Sequence, residues 1–305
     1  LLALAYGASI GGMATLIGSP PNGIYMRFME QTYGQVVSIA SWMKVGVPVT
    51  LLLFIVSFFV LTGLMFRNMG GSVPGGKEWV RNELRSMGKL STGEKAVGLC
   101  FLIAAVLWFS GAQLRGINID GWQPFKYLTD AVIAMGMGIV PFLIPVDRKG
   151  TMAMDWKTAN EAISWDVLLL FGGGLSLASA IQHTGVAQLI GAQVAVLAGS
   201  PFPVVLFGVV FIVTFATGVT SNTALAAMMM PLLAAVANAL GLPPQPILMG
   251  TALAASAAFI LPISTPPNAI VFGTGKIKIA DMFRAGILIN FVAIFVITGV
   301  MLLLD

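Results

Sequence analysis

Ile263-Ser264-Thr265-Pro266-Pro267-Asn268-Ala269-Ile270 closes an apolar segment that begins near residue 247, and Ile17-Gly18-Ser19-Pro20-Pro21-Asn22-Gly23-Ile24 closes another at the start of the chain. Further on, Ile39-Ala40 with Lys44 and Gly46 matches Ile279-Ala280 with Arg284 and Gly286. The offset is 246 from Ile17 to Ile263 and 240 from Ile39 to Ile279, so the first copy carries a small insertion. Self-similarity of this kind marks an internal repeat. Proline lacks a backbone N–H and clashes with the preceding turn, so Pro-Pro interrupts a helix and frees carbonyls. In lipid, such backbone persists only where it lines a protein or water-filled cavity. Carbonyl ends of half-helices suit cations and helix N-termini suit anions, so each break can serve both.

The rest of the chain sets these motifs in a membrane. Of 305 residues, 57% are hydrophobic and 9% charged, against roughly 45–50% and about 25% in soluble domains. The 16 basic and 12 acidic residues give a net charge of +4. They gather in residues 67–95 and 147–166, while Val167 to Gly275 contains no Asp, Glu, Lys or Arg and only His183 as an ionisable group of that kind. A soluble surface could not be made from such a stretch. The bases lie between apolar segments, as in cytoplasmic loops, and not as a stripe on a polar domain; nucleic acid is excluded as a partner. One cysteine, Cys100, in an apolar run, excludes a disulfide framework and reads as a packed thiol. The opening LLALAYGAS has no Met and no signal-peptide n-region, so the chain is expected to be the later part of a longer protein.

Windows of about 20 apolar residues indicate membrane spans. They fall near 45–66, 96–111, 130–146, 166–183 and 281–304, while 1–17 and 247–263 stop at Pro-Pro. Region 202–240 is long enough for two passes but is cut by polar residues; 186–199 and the charged, amphipathic 77–90 read as interfacial helices. The resulting organisation is an interrupted helix (1–37), a span (38–66), a basic loop (67–95), two scaffold spans (96–146), a second loop (147–165), a span with an interfacial segment (166–200), a re-entrant hairpin (201–241), a second interrupted helix (242–280) and a last span (281–305). Lys and Arg place loops 67–95 and 147–165 and the 276–284 end in the cytoplasm. Segment 45–66 then runs inward and 281–304 outward, so the two Pro-Pro-Asn helices cross in opposite directions. Inverted repeats with interrupted helices are the signature of secondary transporters, whose sites lie near the midplane.

Thr217-Gly218-Val219-Thr220-Ser221-Asn222-Thr223 is the polar interruption of 202–240. Its hydroxyls and amide offer oxygens to an alkali ion and donors to a carboxylate, and Asn222 has both kinds of atom. A helix is expected to start near Thr223 with Ser or Asn as its cap. With no fixed charge in 167–275, an anion there must be balanced by helix dipoles, amide and hydroxyl donors, and co-bound cations, which is a route to obligatory coupling.

Ser221-Asn222-Thr223, the two Pro-Pro-Asn motifs and Trp165-Asp166-Val167-Leu168-Leu169-Leu170-Phe171-Gly172-Gly173-Gly174 together resemble the divalent anion:sodium symporter family, which includes the sodium/dicarboxylate cotransporters. The resemblance runs over the whole chain. It implies an all-α polytopic inner-membrane protein: a homodimeric, elevator-type secondary transporter with re-entrant hairpins. It implies substrate contacts from Ser221, Asn222, Thr223, Thr265, Pro266, Ser19 and Pro20. One sodium would be held by Thr217, Thr220, Asn222 and Ser264, through carbonyls where the side chain is unsuitable, and Gly18 would lend a carbonyl to another. Many members carry an acidic residue where this chain has Gly218. The family's first Ser-Asn-Thr hairpin is not in this chain, so the chain alone is not expected to transport.

Other features read as structural. Gly172-Gly173-Gly174 lacks the Lys-Ser/Thr of a phosphate loop and suits close helix packing. His183, Met228-Met229-Met230 and the Asp155/Trp156 and Trp165/Asp166 pairs suit packing or interfacial anchoring, and Lys44 and Arg284 suit anchoring or a scaffold role. No residue set supplies catalysis, so an enzyme is not expected. The function expected is sodium-driven symport of a small di-anion, foremost succinate, malate or fumarate. The alternatives are sulfate or citrate, proton coupling, and a passive anion channel.

Overall fold

The computed structural model describes residues 1–66, 76–120, 122–147, 150–163 and 199–304, and, between 165 and 189, positions 165, 169, 172–173, 176–177, 179–180, 183–186 and 189. The span expected at 166–183 and the segment at 186–199 therefore fall largely outside the described residues, as do Asp166 and Gly174. Among the described residues the chain is helical, with two isolated bridges and no β-strand. In chain order the helices are α1 (Leu2–Gly12), α2 (Pro20–Tyr33), α3 (Ile39–Phe59, continued by a π-helical Val60–Met65), α4 (Gly76–Ser86), α5 (Thr92–Arg115), α6 (Asp130–Ile139), α7 (Trp156–Ala162), α8 (Phe202–Ala216), α9 (Asn222–Ala239), α10 (Pro244–Ser256), α11 (Pro266–Gly273) and α12 (Ile279–Leu304).

Among the described residues, four stretches are long and apolar enough to cross a membrane: Ile39–Met65, Thr92–Gly111, Asn222–Ala239 and Ile279–Leu304. Two expected spans change length. The one expected from residue 96 starts at Thr92, because Ser91 and Glu94 form a capping box with Ser91 N–H donating to Glu94 Oε2 at 2.7 Å and Glu94 N–H to Ser91 Oγ at 3.2 Å. The one expected at 130–146 ends in a 3-10 turn, Val140–Phe142, where Pro141 cannot continue the α-helical ladder.

The prolines of the repeated motif do not end helices; they begin them. α1 stops at Gly12 and α10 at Ser256, and Pro20-Pro21 and Pro266-Pro267 fill the first turns of α2 and α11. The N–H groups of a first turn have no intrahelical acceptor, so proline loses nothing there. α2 ends at Gly34, whose φ of +67° lets its N–H and that of Gln35 fold back onto Glu30 and Met29 carbonyls.

The chain divides into two compact units. The first comprises Leu1–Val37, Ser41–Met69 and Trp165–Asp305. Its centre is α10, buried at every position from Pro246 to Ser256. Its small residues Gly250, Thr251, Ala252, Ala254, Ala255 and Ser256 let neighbours approach closely, which is how helices associate where lipid removes the hydrophobic drive. Both arms of the hairpin, α8 and α9, pack on α10, as do α2 and α12, and α1 packs on α11. The second unit comprises Ser38–Ala40 and Gly70–Ser164. In it α5 packs on α6, Trp108 Nε1–H donates to the Asp130 carbonyl at 3.1 Å, and Arg115 donates to the Leu128 carbonyl at 2.9 Å beside the Asp130 carboxylate.

Candidate functional site

The site lies in the first unit, where two broken helices and the hairpin bring freed backbone together. The first break is 13–19, between α1 and α2; the second is 257–265, between α10 and α11. The N-caps match: Ser19 has φ −147° and ψ 138°, Thr265 φ −144° and ψ 151°. Buried backbone groups need partners, and the helices that follow each break supply them. Trp42 Nε1–H donates to the Met13 carbonyl at 3.0 Å and the Thr50 hydroxyl to the Ile10 carbonyl at 3.2 Å. Across the second break, Phe259 N–H donates to Asn290 Oδ1 at 3.3 Å. Gly46 and Gly286 make these approaches sterically open. A Cβ on Gly46 would lie 2.7 Å from the Met13 carbonyl, and one on Gly286 would fall on the Phe259 carbonyl.

The hairpin tip spans Thr217–Ser221, between α8 and α9. Ser221 is the cap, a serine as expected: its Oγ accepts Ala224 N–H at 3.5 Å and the helix begins at Asn222, one residue before Thr223. Thr217 is fully buried, and its Oγ1 lies 2.7 Å from both Asn222 Oδ1 and the Ala255 carbonyl oxygen. A hydroxyl carries one proton, and both neighbours are acceptors as oriented here. Three oxygens therefore converge with one proton among them, an arrangement that suits a small hard cation. Ser264, 6% exposed, donates its hydroxyl to the Gly218 carbonyl at 2.8 Å and so ties the second break to the tip.

Of the expected residues, Thr217, Asn222 and Ser264 are thus drawn to one place, with Thr265 capping α11 through an Asn268 N–H contact of 3.4 Å. Pro266 is exposed in the first turn of that helix. Thr220 is exposed and donates its hydroxyl to the Ala216 carbonyl at 2.8 Å, which leaves lone pairs on its oxygen. Thr223 is half-buried in the first turn of α9. On the first break, Gly18 and Pro20 are exposed, and Ser19 Oγ lies 2.9 Å from Ser256 Oγ. Ser256 donates to the Ala252 carbonyl at 3.2 Å, so the single proton left for the pair is that of Ser19. Ser19 then presents lone pairs outward.

The sequence reading missed four contributors. The Ala255 carbonyl has no side-chain signal. Ser256 carries no motif that marks it within its apolar run. Asn22 and Asn268 belong to the repeated motif but carry no role in its sequence reading, although a polar amide repeated at equivalent positions is the available clue; both are fully buried and both donate into their breaks.

Residues 1–304 match the family model described as the sodium:sulfate symporter transmembrane region. The chain is 38% identical over 300 residues to the sodium-dependent dicarboxylate transporter SdcS of Staphylococcus saprophyticus, covering 97% of this chain and 57% of that protein. It is 38% identical over 299 residues to the SdcS of Staphylococcus aureus, covering 97% of this chain and 56% of that one. The chain thus spans a little over half the length of these curated relatives. With the apolar helices and the match over nearly its whole length, this multi-pass membrane chain belongs to the divalent anion:sodium symporter family.

Proposed function

We propose that the protein containing this chain is a sodium-driven symporter for a small dicarboxylate, with a C4 di-anion such as succinate, malate or fumarate as substrate. The observation that carries the reading is the Thr217–Asn222–Ala255 oxygen cluster, which has too few protons for its acceptors and lies within a stretch free of fixed charge. A sodium ion there completes the cluster and supplies the positive charge an adjacent carboxylate needs. The first turn of α9 adds N–H donors for the anion, while α11 and α2, whose first turns open on prolines without N–H, add only the positive end of their helix dipoles. Ser221, Asn222, Thr223, Thr265, Pro266, Ser19 and Pro20 would contact substrate; Thr217, Thr220, Asn222 and Ser264 would hold one sodium and Gly18 a second. The names of the relatives support both sodium and dicarboxylate.

The same proposal includes an inverted repeat, a re-entrant hairpin, a homodimer and elevator-type movement. Support for the repeat comes from the matched caps of Ser19 and Thr265 and from the matched approaches of Gly46 and Gly286. Support for re-entry comes from α8, whose 15 residues extend only about 22 Å against a hydrocarbon core of about 30 Å. The driving force would be electrical: each net positive charge carried inward gains about 2.3 kcal/mol per 100 mV.

The test is uptake of labelled succinate by the full-length protein in liposomes. Uptake should rise with an inward sodium gradient and be competed by malate and fumarate. Equal uptake with and without the gradient overturns symport, and competition by sulfate alone reassigns the substrate. Current without saturation would indicate a channel. Asn222→Ala should abolish sodium-dependent uptake; unchanged affinities in that variant remove the site assignment.

A further inference from the structure

Asn22 and Asn268 stand at equivalent places in the two Pro-Pro-Asn motifs, and their amides make equivalent bonds. Asn22 Nδ2 donates to the Gly12 carbonyl at 3.1 Å and the Thr15 carbonyl at 2.8 Å. Asn268 Nδ2 donates to the Ala258 carbonyl at 3.2 Å and the Leu261 carbonyl at 3.1 Å. Both amides thus reach back ten and seven residues across their breaks. Two carbonyl acceptors fix the orientation, because a reversed amide would set its oxygen against two others. In each case Oδ1 is buried without a hydrogen-bond partner.

The second acceptor in each pair is shared. The Thr15 carbonyl also accepts Gly18 N–H at 3.2 Å, and the Leu261 carbonyl also accepts Ser264 N–H at 3.2 Å. Gly18 is expected to lend its carbonyl to one sodium, and Ser264 is expected among the ligands of the other. A continuous path therefore runs, in both breaks, from the asparagine amide through one carbonyl to the backbone of an ion-ligand residue. The amide also occupies two carbonyls that would otherwise compete as ligands.

We infer that Asn22 and Asn268 are paired positioning residues for sodium: each closes its break and fixes the backbone of the ligand residue, Gly18 or Ser264, without touching the ion. The inference rests on the sodium-symport reading and makes a demand of its own. Loss of either amide must alter how sodium is held, and the two losses must resemble each other.

The experiment uses the full-length protein in proteoliposomes, with succinate uptake measured over a range of sodium concentrations for wild type, Asn22→Ala, Asn268→Ala, Asn22→Asp and Asn268→Asp. Thermal unfolding in detergent, with and without sodium, is measured on the same proteins, so a variant too impaired to transport still gives a reading. The alanine variants are expected to need about tenfold more sodium for half-maximal uptake, the effect of losing one buried hydrogen-bonded group, with a smaller change in maximal rate. Their stabilisation by sodium should weaken in parallel. The aspartate variants should be worse, since a carboxylate oxygen would then face two carbonyls. A wild-type protein indifferent to sodium sinks the symport reading itself. A sodium-dependent wild type whose alanine variants keep its sodium requirement, losing only rate or general stability, overturns the positioning role, as does an effect confined to one of the two asparagines.

Discussion

At the scale of single residues, Thr217 decides most. Its hydroxyl stands 2.7 Å from two acceptor oxygens, and no serine or threonine can satisfy both. Thr217→Val keeps the shape and removes the oxygen, so it should raise the sodium needed for half-maximal uptake by about tenfold, as expected for an unsatisfied buried polar cluster. Thr217→Ser keeps the oxygen and should stay near wild type. Equal behaviour of the two variants in a sodium titration would take the hydroxyl out of the site. Ser19 and Ser256 differ from this cluster: with the Ser256 hydroxyl directed to the Ala252 carbonyl, the Ser19 hydroxyl is the donor between them and the pair has protons enough.

At the scale of elements, the informative contact is that of α12 against the second break. A methyl group on Gly286 would meet the Phe259 carbonyl, which is backbone and has little room to retreat. Gly286→Ala should therefore destabilise the protein by about 1–3 kcal/mol, read as a lower unfolding temperature in detergent. Gly299 lies on the same helix with nothing within 4 Å of an added Cβ, and Gly299→Ala should be neutral or gain up to about 1 kcal/mol from helix propensity. If both variants unfold alike, the close approach is not a constraint. Outside the membrane, α7 is capped by Asp155, whose carboxyl is held below its ordinary value by the backbone N–H and hydroxyl of Thr158. A depressed folded value means that this contribution is present above the unfolded value and fades as pH falls through the folded one.

The elements also show what could be read from sequence. The Pro-Pro-Asn repeat, the polar tip and the long spans α3 and α12 were legible, since composition and proline chemistry act locally. The position of each break was not. Proline tells where a helix cannot continue, but Gly12 and Ser256 end their helices upstream, where side chains from α3 and α12 take over the backbone partners. The start of α5 was missed for the converse reason: a charged capping box extends the helix past its apolar run. Of the site, the hydroxyls and the amide could be named from the motif, whereas the Ala255 carbonyl joins them only through tertiary packing.

At the scale of the whole molecule, a half-site free of Asp, Glu, Lys and Arg between Val167 and Gly275 should make ion and anion binding mutually dependent. In the full-length protein, sodium should raise the unfolding temperature where potassium does not, and succinate should raise it further only with sodium present. A ligand at a hundred times its Kd stabilises by about 2.7 kcal/mol, which a thermal-shift measurement resolves. Stabilisation by succinate in potassium alone would contradict the shared site.

The long reach of two contacts bears on how such a protein is made. Tyr6 donates its hydroxyl to the Met282 carbonyl at a separation of 276 residues, and Ser19 pairs with Ser256 at 237. Contacts of high sequence separation form late, because loop closure precedes their reward. During synthesis at about 5–20 residues per second, the first break must wait in the membrane for the last helices to emerge. A nascent chain cut short before α10 would hold the first break closed by Asn22 and α3 alone, with Ser19 lacking its Ser256 partner and α2 lacking the α10 surface it packs on.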